Sequence, residues 1–251
     1  MGAMLVTVVI PVKDEEDNVG PLAAEIKAAL DGVHDFEIIF VDDGSGDGTL
    51  AALGRARNEL GLGGRLRALH HDRSCGQSTA VWSGARAARG ELLATLDGDG
   101  QNDPADLPKL IAPLLATDRD PQLMLTIGWR ATRRDNFIRR FSSRAAFAAR
   151  RWILKDDTPD TGCGLKVIRL AHFLALPYFD HMHRFTPALV RRAGGRTQSV
   201  PVNHRSRERG VSKYGVWNRL WVGIVDLFGV GWLQRRERRP PQVTEHGGEA
   251  R

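Results

Sequence analysis

Four short apolar runs in the first half of the chain lack polar alternation: LVTVVIPV at 5–12, FEIIFV at 36–41, RLRALH at 65–70 and ELLATL at 91–96. Between them the spacing changes to that of helices, as in DEEDNVGPLAAEIKAAL (14–30) and GQSTAVWSGARAARG (76–90). A strand buried on both faces has no solvent side, so its residues do not alternate. Such strands joined by helices predict a parallel sheet covered on both faces. Ligands of such sheets bind at the carboxyl ends of the strands. Here those ends read PVKDEEDN, VDDGSGDGT, HHDRS and LDGDGQND, and three of the four are acidic. Together they form one candidate site.

The texture changes after residue 128. The stretch 128–154 reads as a loop leading into an arginine-rich helix. DTPDTGCGLKVIRLAHF predicts a turn and a strand, and SVPVNHRSRERGVSKYG a strand ending in a second basic loop. A helix is expected over 214–233, followed by QRRERR and a polar tail expected to be disordered. The organisation expected is one main domain over 1–212, with an acidic half (5–128) and a basic half (129–212). An amphipathic helix at 213–236 and the tail at 237–251 complete it.

Composition alters this picture at one point. Hydrophobic content of 42% and charged content of 26% are ordinary for a globular protein. Two cysteines, Cys75 and Cys163, make neither a disulfide framework nor a zinc pattern, which favours a reducing compartment. No secretory signal is expected, because the first apolar run passes straight into acids. The net charge of +6, however, hides an asymmetry. Residues 1–128 hold 11 Lys/Arg against 20 Asp/Glu, a formal −9, and residues 129–251 hold 25 against 10, a formal +15. An acidic half suits metal binding, and a basic half suits phosphates, nucleic acid or an anionic membrane surface. No stacking-aromatic or groove-reading motif accompanies the basic charge, which argues against nucleic acid.

The densest chemistry lies in Asp97-Gly98-Asp99-Gly100-Gln101. Alternating side chains at a strand end present two carboxylates and an amide oxygen on one side, while glycine lets the backbone approach a ligand. Hard oxygen donors select Mg²⁺ or Mn²⁺, and so few of them imply that substrate phosphates complete the shell. An EF-hand is excluded because Asn102 and Pro108 stand where its glycine and bidentate glutamate belong. The bland alternative is helix capping, which fits Asp103 ahead of Pro104. In VDDGSGDGT, Ser45 or Asp47 could cap a helix, but a cap needs one acid and Asp42-Asp43 supplies two. Pro11 and Glu15 fit a strand-ending turn equally well. Cys163 reads as a small packing residue, and His181-x-His183 as structural or exposed.

In order and spacing, VVIPVKDEEDN, IIFVDDGSGDGT, RSCGQSTAVWSGARAARGELLATLDGDGQNDP, DTGCGLKVIR and HRSRERGVSKYG resemble family 2 glycosyltransferases. More narrowly, they resemble the polyprenyl-phosphate glycosyltransferases, the group of dolichol-phosphate mannosyltransferase. The match runs from about residue 5 to residue 233. The resemblance implies a GT-A fold, a mainly parallel α/β sheet flanked by helices with a C-terminal amphipathic segment. It also implies a nucleoside-diphosphate sugar donor, GDP-mannose or a UDP-hexose, a divalent metal, and inverting transfer to a polyprenyl phosphate. By position, Pro11, Glu15, Val41 and Asp43 resemble nucleotide contacts. Asp97, Gly98, Asp99 and Gln101 resemble the donor-diphosphate and metal motif. Arg130 falls at a lipid-phosphate contact, and Asp99 and Arg130 are the catalytic pair so implied. Arg139 and Ser143 match a pair spaced i, i+4 on one helix face, and Arg205, Ser212 and Lys213 fall in the second basic loop. Lys13 departs from the Asn or Tyr of many relatives, at the base-recognition end.

Segment 214–233 has the length to cross a bilayer, but Asn218, Arg219 and Asp226 lie within it. Its tryptophans and the arginines behind it fit an interfacial helix, with a buried core or dimer helix as the alternative. The expected location is peripheral, on the cytoplasmic face of the membrane, with a homo-oligomer or a membrane-protein partner both open. Two competing readings stand beside this one: a family 2 transferase with a soluble or polysaccharide acceptor, and a non-catalytic nucleotide-sugar or lipid-binding partner.

Overall fold

The structure, a computed structural model, describes residues 5–130, 150–205 and 216–236, with side chains of the last segment from 223 onward. Arg139, Ser143, Ser212 and Lys213 lie outside the described residues. One seven-stranded sheet organises the described residues. Its strands are β1 (Val6–Val12), β2 (Phe36–Asp42), β3 (Leu66–His70), β4 (Leu92–Thr95), β5 (Leu123–Trp129), β6 (Lys166–Arg169) and β7 (Arg196–Pro201). They are ordered β3-β2-β1-β4-β6-β5-β7. Six strands run one way; only β6 is antiparallel to its neighbours β4 and β5.

The unalternated runs become β1 to β4, and their two faces feed separate cores. Val6, Val8, Ile10 and Val12 of β1, with Phe36, Ile38 and Phe40 of β2, pack beneath α1 (Glu16–Leu30), α2 (Thr49–Glu59) and α4 (Leu107–Leu115). Val9, Ile39 and Val41 face the other way, under α3 (Gln77–Ala87), α5 (Leu170–Leu174), α6 (Thr186–Arg192) and α7 (Val216–Arg235). Helix α3 lies close on the sheet at Gly84, where a Cβ would sit 2.4 Å from Val9 Cγ1.

The second half departs from the sequence reading. Residues 123–129, leading into the arginine-rich stretch, form a full strand, and α5 and α6 are short helices between the two strands expected there. Strand β6 returns to the middle of the sheet, pairing Thr95 on one side and Ile127 on the other through Lys166. Two segments distant in the chain, ending at Thr95 and beginning at Lys166, thereby meet at the carboxyl end of β4.

Candidate active site

The loops after β1 and β2 are stitched together before any ligand is considered. Ser45 Oγ accepts the Asp14 N–H at 2.8 Å, and Asp14 Oδ1 accepts the Gly46 N–H at 2.7 Å. Asp47 accepts the N–H of Thr49 at 3.0 Å just ahead of α2, but the cap position of that helix is Gly48, not the Asp47 or Ser45 considered from the sequence. The Glu15 N–H donates to Thr49 Oγ1 at 3.0 Å, and Glu15 accepts from Asn18 at the head of α1. Pro11 lies within β1 opposite Val41. Val41 is fully buried, with its side chain packed in the core under α3.

The adjacent acids Asp42 and Asp43 are both buried and both spoken for. Asp42 accepts from Ser45 and from His70. Asp43 Oδ1 accepts the Cys75 N–H and the His71 Nδ1–H, each at 2.8 Å, and its Oδ2 accepts Ser74 Oγ–H at 2.8 Å and the Gly76 N–H at 2.9 Å. Burial alone would raise the Asp43 pKa, but these donors reverse the effect and hold it below the usual carboxylate value. Asp43, His71 and Cys75 form a grouping of possible metal donors whose ligand atoms lie within 4.8 Å of one another. His71 spends its second nitrogen on Ser83 Oγ, 3.0 Å away. The trio therefore reads as a hydrogen-bonded clamp on the loop before α3.

The β4 end is built differently. Asp97 is partly accessible yet deep among protein atoms, and its pKa is raised by burial and by Asp99, against the pull of Lys166 and Arg130. Its N–H donates to Asn102 Oδ1 at 3.1 Å, and its Oδ1 accepts Gln77 Nε2–H at 2.8 Å. Asp99 Oδ1 accepts the Gln101 N–H at 3.2 Å, so Gln101 turns back on the same loop. Gly98 approaches β1 so closely that a Cβ would lie 2.9 Å from Pro11 O, and Gly164 abuts the Asp97 carboxylate itself. Two carboxylates close in sequence on a tight loop of hard oxygen donors, with Asp97 made harder to ionise by burial and by its neighbour, fit a divalent cation. Asp103 caps the turn after this loop by accepting the Ala105 N–H, the bland role expected of it.

The cationic residues are engaged. Arg130 donates from Nε and Nη2 to Asp160 at 2.6 and 2.8 Å, a bidentate, largely buried pair. Arg205 pairs with Glu25 at 2.7 Å and Asp103 at 2.8 Å. Either arginine would have to share these partners to hold an acceptor phosphate.

Four residues that sequence reasoning did not single out belong to this site. Lys166 is buried, donates to Cys163 O, and has its pKa lowered by burial while Asp97 opposes the shift. Gln77, Asp160 and Gly164 complete the group. Their only signal was membership of the quoted motifs; the approach of segments 20 to 70 residues apart has no local signature. Cys163 is buried, and burial raises its thiol pKa, as suits a packing residue. His183 is structural: Ser78 Oγ lies 2.7 Å from its Nδ1, and burial holds its pKa well below 6.5.

Comparison with known proteins bears on the family and the fold. A family model described as glycosyl transferase family 2 matches residues 7–173. Dodecaprenyl-phosphate galacturonate synthase of Rhizobium johnstonii is 39% identical over 241 residues, 93% of this chain and 68% of that protein. Undecaprenyl-phosphate 4-deoxy-4-formamido-L-arabinose transferase of Edwardsiella ictaluri is 34% identical over 212 residues, 84% of this chain and 63% of that one. The chain thus spans about two thirds of the length of these curated relatives. Among solved structures, glucosyl-3-phosphoglycerate synthase from Mycobacterium tuberculosis, in complex with Mg²⁺ and UDP, superimposes with a TM-score of 0.67 at 17% identity. It covers 92% of this chain and 79% of its own. Mannosyl-3-phosphoglycerate synthase from Rubrobacter xylanophilus gives 0.68 at 17%, over 96% and 79%. At such identities the likeness concerns the fold, which is the GT-A arrangement expected.

Proposed function

The chain belongs to glycosyl transferase family 2, and from that premise we propose that it moves a sugar from a nucleoside diphosphate to a polyprenyl phosphate with inversion. The observation that carries the proposal is the crowded pair Asp97 and Asp99 at the end of β4, in a chain whose curated relatives are named for polyprenyl-phosphate sugars. Asp97, Asp99 and Gln101 would hold a Mg²⁺ or Mn²⁺ ion. Its chemistry would be to neutralise charge on the departing diphosphate.

In this reading an oxygen of the lipid phosphate attacks the anomeric carbon as the bond to the diphosphate oxygen breaks. A phosphate monoester has a second pKa of about 6 and is largely ionised at neutral pH, so no strong general base is needed. Pro11, Glu15, Val41 and Asp43 belong to the nucleotide end, with Asp43 shaping the 71–76 loop. Arg130, freed in part from Asp160, would orient the acceptor phosphate as a fork. Arg205, with Arg139, Ser143, Ser212 and Lys213, supplies the rest of the acceptor end. The relatives' names carry galacturonate and an aminoarabinose derivative, so UDP-linked acidic and amino sugars join GDP-mannose and UDP-hexoses as candidate donors.

The lipid acceptor also calls for contact with a membrane, and α7 offers a surface. Among the described residues no helix is long and apolar enough to cross a bilayer. Yet Ile224, Val225, Phe228 and Trp232 leave much of their side chains exposed, and Trp152 on the neighbouring helical turn is 83% exposed. Arg235 and Arg236 follow, the latter over the Trp232 ring. An apolar stripe beside arginines fits the interface of an anionic, cytoplasmic leaflet.

The test is transfer of label from GDP- and UDP-sugars, a UDP-hexuronate included, to short-chain polyprenyl phosphate with Mn²⁺, Mg²⁺ or EDTA. Metal-dependent label in the organic phase is the expected result. Metal-dependent donor turnover with no lipid product would overturn the acceptor and favour a soluble one.

A further inference from the structure

The first turn of α3 joins the two acidic strand ends. The N–H groups of Cys75 and Gly76 close on Asp43 beyond β2, and the next residue, Gln77, reaches Asp97 beyond β4. Gly76 has φ +89°, a backbone that other residues rarely adopt, and it turns the chain from the Asp43 clamp into the helix. Ser78 is tied to His183, and Thr79 Oγ1 to Cys75 O and to Tyr178. The start of this helix is therefore fixed on several sides, and Gln77 is the exposed member of the group, held across to a carboxylate.

We propose that Gln77 is a positioning residue for Asp97. Its amide binds Oδ1, and Gly164 lies so close to the same carboxylate that a Cβ there would be 2.3 Å from Oδ2. A carboxylate pinned on one oxygen keeps a single orientation of its second oxygen, and an outer partner that orients a ligand in this way is typically worth 10–100-fold in metal affinity. The same segment makes the nucleotide end and the metal end one mechanical unit, because moving Cys75-Gly76 moves Gln77. The inference rests on the proposed function, in which Asp97 faces the metal and the donor diphosphate.

The experiment measures UDP and GDP binding by calorimetry, with Mn²⁺ and in EDTA, for the unaltered protein, Gln77→Ala and Asp97→Ala. Expected for Gln77→Ala is a loss of about 10-fold or more in Mn²⁺-dependent nucleotide affinity. Metal-free affinity and thermal midpoint should stay unchanged, and excess Mn²⁺ should restore binding. Mn²⁺-dependent affinity equal to that of the unaltered protein overturns the proposal. So does an equal loss with and without metal, which marks a merely structural residue. If the unaltered protein and Asp97→Ala show no difference in Mn²⁺-dependent binding, the reading beneath the inference fails, and this one with it.

Discussion

Gly164→Ala tests the packing of the site with one carbon atom. The added Cβ would lie 2.3 Å from Asp97 Oδ2, 2.4 Å from Cγ and 2.6 Å from Oδ1. Non-bonded carbon contacts settle near 3.5 Å, so the carboxylate or the 160–164 loop must shift by about 1 Å. The carboxylate has little freedom to yield, since Gln77 holds Oδ1 and Asn102 holds the Asp97 N–H. Overpacking of this kind costs about 1–3 kcal/mol, and each kcal/mol lowers Tm by roughly 2–4 °C in a chain this size. Misplacing a reacting group by 1 Å costs on the order of 100-fold in rate. The backbone at Gly164 is not in the left-handed region, so the effect is purely one of contact. Gly54→Ala is the control: it sits within α2 with nothing within 4 Å of the new atom, and should gain about 0.5–1 kcal/mol with activity unchanged. Melting curves and metal-dependent transfer on both variants decide the matter. Unaltered Tm and transfer in Gly164→Ala would refute the close packing argued here.

Other expectations follow from the same geometry. Asp99→Ala should abolish metal-dependent transfer while leaving the melting midpoint close to that of the unaltered protein; retained transfer would exclude it from the catalytic site. Asp43 has a lowered folded pKa, so its stabilisation is present above the unfolded value of 3.8 and fades as pH falls through the lower folded value. The stability gap to Asp43→Asn, read by chemical denaturation, should therefore narrow in acid below 3.8, and a gap independent of pH would contradict this. His183 is held neutral, with a folded pKa well under 6.5, so the unfolded chain binds the extra proton first and stability drops as pH falls below 6.5. His183→Gln should flatten that part of the pH–stability curve. Replacing Phe228 and Trp232 by Glu should release the protein from anionic vesicles in sedimentation, with melting unchanged; equal sedimentation would move the membrane contact elsewhere.

The acidic ends of the strands were legible because parallel strands covered on both faces leave unbroken apolar runs, and LVTVVIPV or FEIIFV admit few other readings. Strand β5 was hidden by its neighbours: LMLTIGW abuts an arginine-rich stretch, and its last residues read as a loop. The short α5 and α6 carry too few turns to show a period. The direction of β6 had no signal at all, since a four-residue strand fits either polarity. Asp97 and Asp99 announced themselves by crowding in sequence. Gln77, Gly164 and Lys166 did not, because each meets Asp97 only through the fold. The commitments of Arg130 to Asp160 and of Arg205 to Glu25 and Asp103 were equally invisible, as the partners are distant in the chain.

The place of β6 bears on how the chain comes to be folded. During synthesis, β1 to β5 emerge first, yet β4 and β5 are not neighbours and have no ladder to share until Lys166–Arg169 arrives between them. The centre of the sheet is thus completed late, by contacts of long sequence separation whose loop-closure cost slows folding. Until then the edge of β4 offers unpaired backbone groups to any passing strand. A nascent chain halted after β5 should be the species that chaperones capture, and release should follow once the four residues of β6 have entered.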